Sequence, residues 1–246
     1  MNNEYLVDQA AAFKREGRSE FEKAVAALIA LAYRYKHLGA NFLWDSDPIL
    51  EREANAILRG LSDSLAEKAK ARALSIAQEE GWDWMDDAWE DANVRQETPI
   101  LTRFDMQGSF LRELLEIWLA LAFLEGITQS YLNILVIRYI ANPYASPLWN
   151  GLPAGLLKHG PGYQKDLINQ IALIGQDGIV GAARLAEWMD ARDKGATYYI
   201  WRRGSNYKCD ECQARANVAY PMEIPFDPVH ARCMCYPEYH YEPIEI

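Results

Sequence analysis

The chain has 246 residues, 50% of them hydrophobic, so it is long enough to bury a sizeable core in one large domain, alone or with a small appendix. Its formal net charge of −10 argues against a general nucleic-acid coat, because phosphate binding needs a basic surface, and leaves at most a local contact with nucleic acid. The N-terminus shows no basic stretch followed by an apolar run. We therefore expect no secretory signal, and a reducing compartment in which disulfides are disfavoured.

The first two predicted elements are long helices. Apolar side chains recur at helical spacing from about residue 5 to residue 38, and Gly39 is a suitable stop. The start of the second helix is well marked, because Asp47 can cap it and Pro48 fits its first position. An apolar stripe then continues towards residue 80.

A short acidic and aromatic segment follows, in which three tryptophans alternate with acids between Trp82 and Asp91. It predicts a short amphipathic helix whose tryptophans enter the core. The alternative is a docking site for another protein, since tryptophan is enriched at interface hot spots.

The most apolar part of the chain is a third helical region, predicted from about 107 to 141 with a break near Gly126. Charged residues interrupt it too often for a membrane span, which needs about 20 predominantly apolar residues. Because more than one face is apolar, we expect a central helix or a contact in a homo-oligomer. The stretch from Ile117 to Leu124 is a second candidate contact surface.

Glycine and proline then break regular structure over residues 142–162, which predicts a long loop. Helical pattern returns over about 163–192. Gly175, Gly178 and Gly181 weaken its middle, so two shorter helices are an alternative to one.

The pattern changes to β at Thr197. Residues 197–201 are β-branched and aromatic, which predicts a strand, and residues 218–220 predict a second strand that pairs with it. The remaining tail is too short and too rich in proline to build a core alone. A metal ion is the usual substitute in such small units.

Every cysteine of the protein lies in this tail. Cys209-Asp210-Glu211-Cys212 is followed after seventeen residues by His230-Ala231-Arg232-Cys233-Met234-Cys235. Zn²⁺ prefers four tetrahedral thiolate or imidazole ligands, and two residues between two ligands let a tight turn aim both at one ion. We predict one structural zinc ion, with Cys209, Cys212 and His230 as ligands and either Cys233 or Cys235 as the fourth. The alternatives are two disulfides or four free thiols.

An enzyme alternative also starts from this tail. Treble-clef nucleases combine a cysteine knuckle with a nearby histidine, and here His230 and His240 with Asn217 or Asp227 are the candidates for a metal-dependent nuclease or DNA-processing enzyme. A histidine that binds zinc cannot also act as the base. A closed site of four protein ligands has no open position for water, which favours a structural role.

The order of strand, C-x-x-C, hairpin, prolines and H-x-x-C-x-C resembles the C-terminal module of phage head morphogenesis proteins, the Mu F-like minor head proteins. The match covers about the last fifty residues, and its residues are Trp201, Cys209, Cys212, Pro225, Pro228, His230, Cys233 and Cys235. Ala231 and Met234 depart from the family's usual ending. Asn217 stands near a hairpin position that usually holds glycine, and asparagine tolerates a left-handed turn.

The resemblance implies a non-enzymatic minor head protein that binds the portal or inner capsid during head assembly. It also implies that the protein is made in the host cytoplasm and is then located in the procapsid or virion. In some cases such a protein is retained for DNA packaging or ejection. A host zinc adaptor is a further alternative. We expect a mainly α fold, with a long-helix bundle over 1–195 and a small zinc-stapled, β-rich module over 196–246.

Overall fold

The computed structural model describes residues 3–83, 85–95, 99–141, 167–204, 209–226 and 233–243. It confirms a mainly helical fold with a small C-terminal sheet of three strands. The long helices are α1 (Asn3–Arg34), α2 (Pro48–Glu80), α3 (Met85–Arg95), α4 (Ile100–Leu124), α5 (Gln129–Ala141) and α6 (Leu167–Asp193). The C-terminal elements are β1 (Tyr198–Arg202), the short helix α7 (Asp210–Arg215), β2 (Ala219–Pro221) and β3 (Tyr236–His240).

The predicted helix boundaries follow their local signals. The Asp47 carboxylate accepts hydrogen bonds from the backbone amides of Ile49 at 2.7 Å and Leu50 at 3.0 Å, which confirms the cap of α2. Helix α1 ends earlier than predicted, and a 3-10 turn, Lys36–Asn41, contains Gly39 at φ 57°. Gly126, at φ 67°, separates α4 from α5 as predicted.

The chain divides into two compact units, of which the second comprises residues 14–66 and 101–172. Its interior contains a run of edge-to-face aromatic pairs that links Tyr33, Phe123, Phe42 and Trp44. The indole nitrogen of Trp44 also donates to the backbone oxygen of Arg112 at 2.9 Å, so a buried polar atom of this core is satisfied.

The first unit comprises residues 1–13, 67–100 and 173–246, so the C-terminal sheet groups with helical segments from three other parts of the chain. The predicted domain boundary near residue 195 stays a prediction.

The tryptophans of the acidic segment are buried where the structure describes their side chains, at Trp82 and Trp89, as the core interpretation predicts. Around the other candidate contact surface, Trp118 and Leu119 are buried and Leu124 is exposed.

Helix α6 is continuous, which confirms the prediction of one helix and rules out the alternative of two shorter ones. The glycines of this helix do not break it, and they let other elements pack close to it. A Cβ at Gly175 would lie 1.9 Å from the ring of Phe13, and one at Gly178 would lie 2.2 Å from Ile100. Glycine is therefore used here where the side chain of another element lies close to the helix backbone, so that any larger residue would force Phe13 or Ile100 to shift. The predicted Gly/Pro loop at 142–162 lies outside the described residues.

The C-terminal sheet has the order β2-β1-β3, with both pairs antiparallel. Both predicted strands are present, shifted by one residue, and Asn217 holds the connection before β2 at φ 63°. Strand β3 was not predicted, because Pro237 interrupts its pattern. Pro237 pairs with Trp201 across the edge of the sheet, where a residue without an amide hydrogen is tolerated.

In the part of the chain that the structure describes, no helix is long and apolar enough to cross a membrane.

Candidate metal centre

The last two cysteines lie in the segment that leads into β3. Burial alternates here, with Cys233, Cys235 and Pro237 buried and the residues between them less so. Successive side chains of an extended chain point to opposite faces, so residues two apart share a face. The C-x-C spacing therefore places both sulfurs on one side of the chain.

The first two cysteines lie at the start of α7. Cys209 is the N-cap residue, with extended backbone, and its sulfur accepts the backbone amide hydrogen of Cys212 at 3.5 Å. Cys212 is therefore in the first turn of the helix, and its side chain is buried. The C-x-x-C spacing thus produces a tight knuckle, as the sequence predicts.

The structure brings three of these sulfurs together. Cys212, Cys233 and Cys235 are all buried, and their sulfur atoms lie within 4.8 Å of one another. The Cys212 and Cys233 sulfurs are 3.8 Å apart, which is longer than the roughly 2.05 Å of a disulfide bond. Four sulfurs held at about 2.3 Å from one tetrahedral ion would be separated by about 3.8 Å. This cluster can hold a metal ion.

The thiols of the cluster differ in acidity. The hydrogen bond with Cys233 is the main cause that lowers the pKa of Cys235 to about 5, and the backbone of Gly204 contributes to the same shift. Burial is the main cause that raises the pKa of Cys212 to about 12. One thiolate is therefore already favoured in the metal-free cluster, whereas Cys212 stays neutral until a cation offsets the cost of its buried charge.

The other predicted site residues have different positions. Cys209 is half-buried, beside Cys212, and His230 and Asp227 lie outside the described residues. His240, a candidate of the nuclease alternative, is in β3, where its ring stacks on Tyr198 with centroids 4.6 Å apart. The Asn217 side chain accepts a hydrogen bond from Arg202.

Helix α6 supports the segment that carries the last two cysteines. Gln176 contacts the sulfur of Met234, which lies between those cysteines, at 3.7 Å. The guanidinium of Arg184 lies 5.8 Å from the centre of the Tyr236 ring and donates to Glu187 at 2.7 Å. Sequence reasoning missed this support. The one available signal was a lone arginine in the apolar stretch from Ile179 to Leu185.

Comparison with known proteins gives no relative from which a role can be transferred. No family model matches the chain, and neither a curated protein nor a solved structure matches it. Any function must therefore be argued from the residues and the geometry given above.

Proposed function

We propose that this protein is a structural minor head protein of a bacteriophage, without enzymatic activity, whose C-terminal region is stabilised by one zinc ion. The observation that carries the proposal is the cluster of Cys212, Cys233 and Cys235 next to a small sheet. The order of strand, C-x-x-C and H-x-x-C-x-C in the sequence, which resembles phage head morphogenesis proteins, is the second support for the proposal.

Zinc is the metal that best fits the cluster. Soft thiolate ligands select Zn²⁺, Cu(I) and iron–sulfur clusters over Mg²⁺ and Ca²⁺, which prefer oxygen. Zinc has no geometric preference from its d electrons and accepts the tetrahedral arrangement to which the 3.8 Å sulfur separation corresponds. A fourth protein ligand would close the coordination sphere, so the ion would stabilise the fold and would not activate water.

The proposed partners are the portal and capsid proteins encoded with this chain. Binding would take place during head assembly, in the procapsid, and the protein would remain in the virion if it also served DNA packaging or ejection. The zinc would keep the C-terminal sheet folded as a rigid unit for docking, because metal-binding free energy becomes folding free energy in such sites.

The test is co-expression of this chain with the portal protein of the same genome, followed by affinity capture of the portal and by mass spectrometry of purified heads. We expect the chain in the portal eluate and in procapsids. Its absence from both, with the protein folded and zinc-loaded, would contradict the head-assembly role. Degradation of plasmid DNA by the purified chain with Mg²⁺, lost in His230→Ala, would instead establish the nuclease alternative.

A further inference from the structure

We infer that Trp201 is a positioning residue of the metal centre, whose indole N–H donates a hydrogen bond to the Cys235 thiolate and so fixes the orientation of that ligand. The inference rests on the zinc site proposed above and deepens it, because it names a residue that acts on the site without being a ligand. Hydrogen-bond partners of this kind orient the ligands of a metal and hold them in place.

The first observation concerns a buried polar atom of Trp201. The side chain is 1% exposed, and its indole nitrogen has no hydrogen-bond partner among the residues that the structure describes. A buried indole normally finds an acceptor, as that of Trp44 does at the backbone oxygen of Arg112. Because an indole nitrogen can donate but not accept, the group that satisfies it must be an acceptor.

The second observation is that the sheet places Cys235 on the same face as this indole. Trp201 in β1 pairs with Pro237 in β3, and directly opposed residues of an antiparallel pair point to the same face. Cys235 comes two residues before Pro237 and is buried as Pro237 is, so both side chains share that face. Cys235 is therefore the diagonal neighbour of Trp201, a position within reach of an aromatic side chain.

The two groups complement each other chemically. A cysteine that binds zinc is a thiolate, and a buried thiolate is stabilised by hydrogen-bond donors as well as by the metal. Hydrogen bonds to charged acceptors are stronger than those between neutral groups. The metal-free protein already shows the contact, since the pKa of Cys235 is lowered mainly by the hydrogen bond with Cys233 and the Trp201 side chain contributes to the same shift.

The simpler interpretation is that Trp201 only fills the core of the sheet. Its ring packs on that of Phe226 with centroids 4.3 Å apart, and the guanidinium of Arg215 lies 5.2 Å from its centre. Trp201→Phe keeps an aromatic ring in this position and removes the N–H. The matched control is Trp188→Phe in α6. Trp188 is also buried, its indole nitrogen also lacks a partner among the described residues, and its ring lies against Arg192.

The deciding experiment measures zinc affinity by chelator competition and the absorption spectrum of the Co²⁺-loaded protein, for the wild type and for both variants, after circular dichroism has shown that each chain is folded. In Trp201→Phe we expect an affinity loss of about 10- to 100-fold. We also expect the sulfur-to-cobalt charge-transfer band to move to longer wavelength, because a thiolate that loses a hydrogen bond gives up electron density more readily. Trp188→Phe should change neither the affinity nor the band.

The wild-type chain loaded with a spin-active cadmium isotope gives a readout that does not depend on whether a variant folds. One of the eight indole protons should show a scalar coupling to the cadmium nucleus through the N–H···S hydrogen bond. An unmoved band in folded Trp201→Phe, or no coupled indole proton in the wild type, would overturn the role of Trp201 and leave the metal centre intact. A wild-type chain that binds neither zinc nor cadmium would overturn the site itself.

Discussion

The two cysteines with opposite pKa shifts make zinc binding depend on pH. Burial raises the pKa of the Cys212 thiol to about 12 in the metal-free protein, and the hydrogen bond with Cys233 lowers the pKa of Cys235 to about 5. Zinc binds thiolates, so its binding must displace at least the Cys212 proton at neutral pH. Zinc affinity therefore rises with pH between these two values, by about tenfold per pH unit for each proton displaced.

The number of protons displaced per zinc ion is measured directly by calorimetric titration of zinc in buffers of different ionisation enthalpy. We expect at least one proton released per zinc ion at pH 7, and more below pH 5, where Cys235 is also protonated. Zinc binding without proton release would show that Cys212 is not a ligand.

Gly175 is the residue at which the packing of α6 is most sensitive to a single carbon. In Gly175→Ala the new Cβ would overlap the ring of Phe13, since the two would be 1.9 Å apart. Strain from such overpacking reaches about 3 kcal/mol. Alanine gains only about 1 kcal/mol over glycine inside a helix, so we expect a net loss of about 2 kcal/mol in the free energy of unfolding.

Gly60→Ala is the matched control, because Gly60 lies within α2 and has open space around its Cα. Denaturant unfolding should show no loss, or a gain of up to about 1 kcal/mol, in this variant. Equal effects of the two substitutions would contradict the close approach of α1 and α6. Partial recovery in Gly175→Ala combined with Phe13→Leu would support it.

At the scale of elements, the start of α2 depends on one side chain. Asp47 accepts two backbone amide hydrogens, so Asp47→Ala leaves donors of the first turn without their partner. We expect a loss of about 1 kcal/mol in the free energy of unfolding, within the range of 0.5–2 kcal/mol for such caps.

The control is Asp45→Ala, which removes the same charge from an exposed position two residues earlier. Urea unfolding should place this variant within about 0.5 kcal/mol of the wild type. Comparable losses in both variants would indicate a general charge effect and not a cap.

Local signals sufficed to predict the elements whose causes lie close together in the sequence. The cap of α2, the break at Gly126, the left-handed Asn217 and the knuckle at Cys209 all follow from neighbouring residues. Strand β3 and the continuity of α6 do not, since each depends on a partner far along the chain. Pro237 is tolerated because it pairs at an edge with Trp201, and Gly175 because Phe13 occupies its space.

The same distinction applies to the metal centre. Spacing alone predicted a metal site and named the three cysteines that the structure brings together. Spacing alone does not determine whether Cys233 or Cys235 is a ligand. That depends on how the segment before β3 places both buried sulfurs beside Cys212. The Arg184 contact with Tyr236 was equally hidden, since it joins α6 to a strand that only tertiary structure shows.

At the scale of the whole molecule, the proposed zinc ion would supply stability that a larger hydrophobic core otherwise provides. The C-terminal sheet has three short strands, and its own aromatic contacts centre on Tyr199, Trp201 and Phe226. A sheet of this size is marginal without further support. Zinc bound to Cys212 and Cys233 would join α7 to the segment before β3, so its removal should loosen the sheet before the long helices unfold.

The most direct test of this structure is the zinc content of the chain purified without a histidine tag, measured by elemental analysis for the wild type, for Cys233→Ser and for Met234→Leu. Met234→Leu is the control, because it changes the same segment and keeps both cysteines. We expect about one zinc ion per chain in the wild type and in the control. In Cys233→Ser we expect loss of zinc and a lower thermal midpoint. A wild-type chain without zinc, in which all four thiols react freely, would contradict the metal centre.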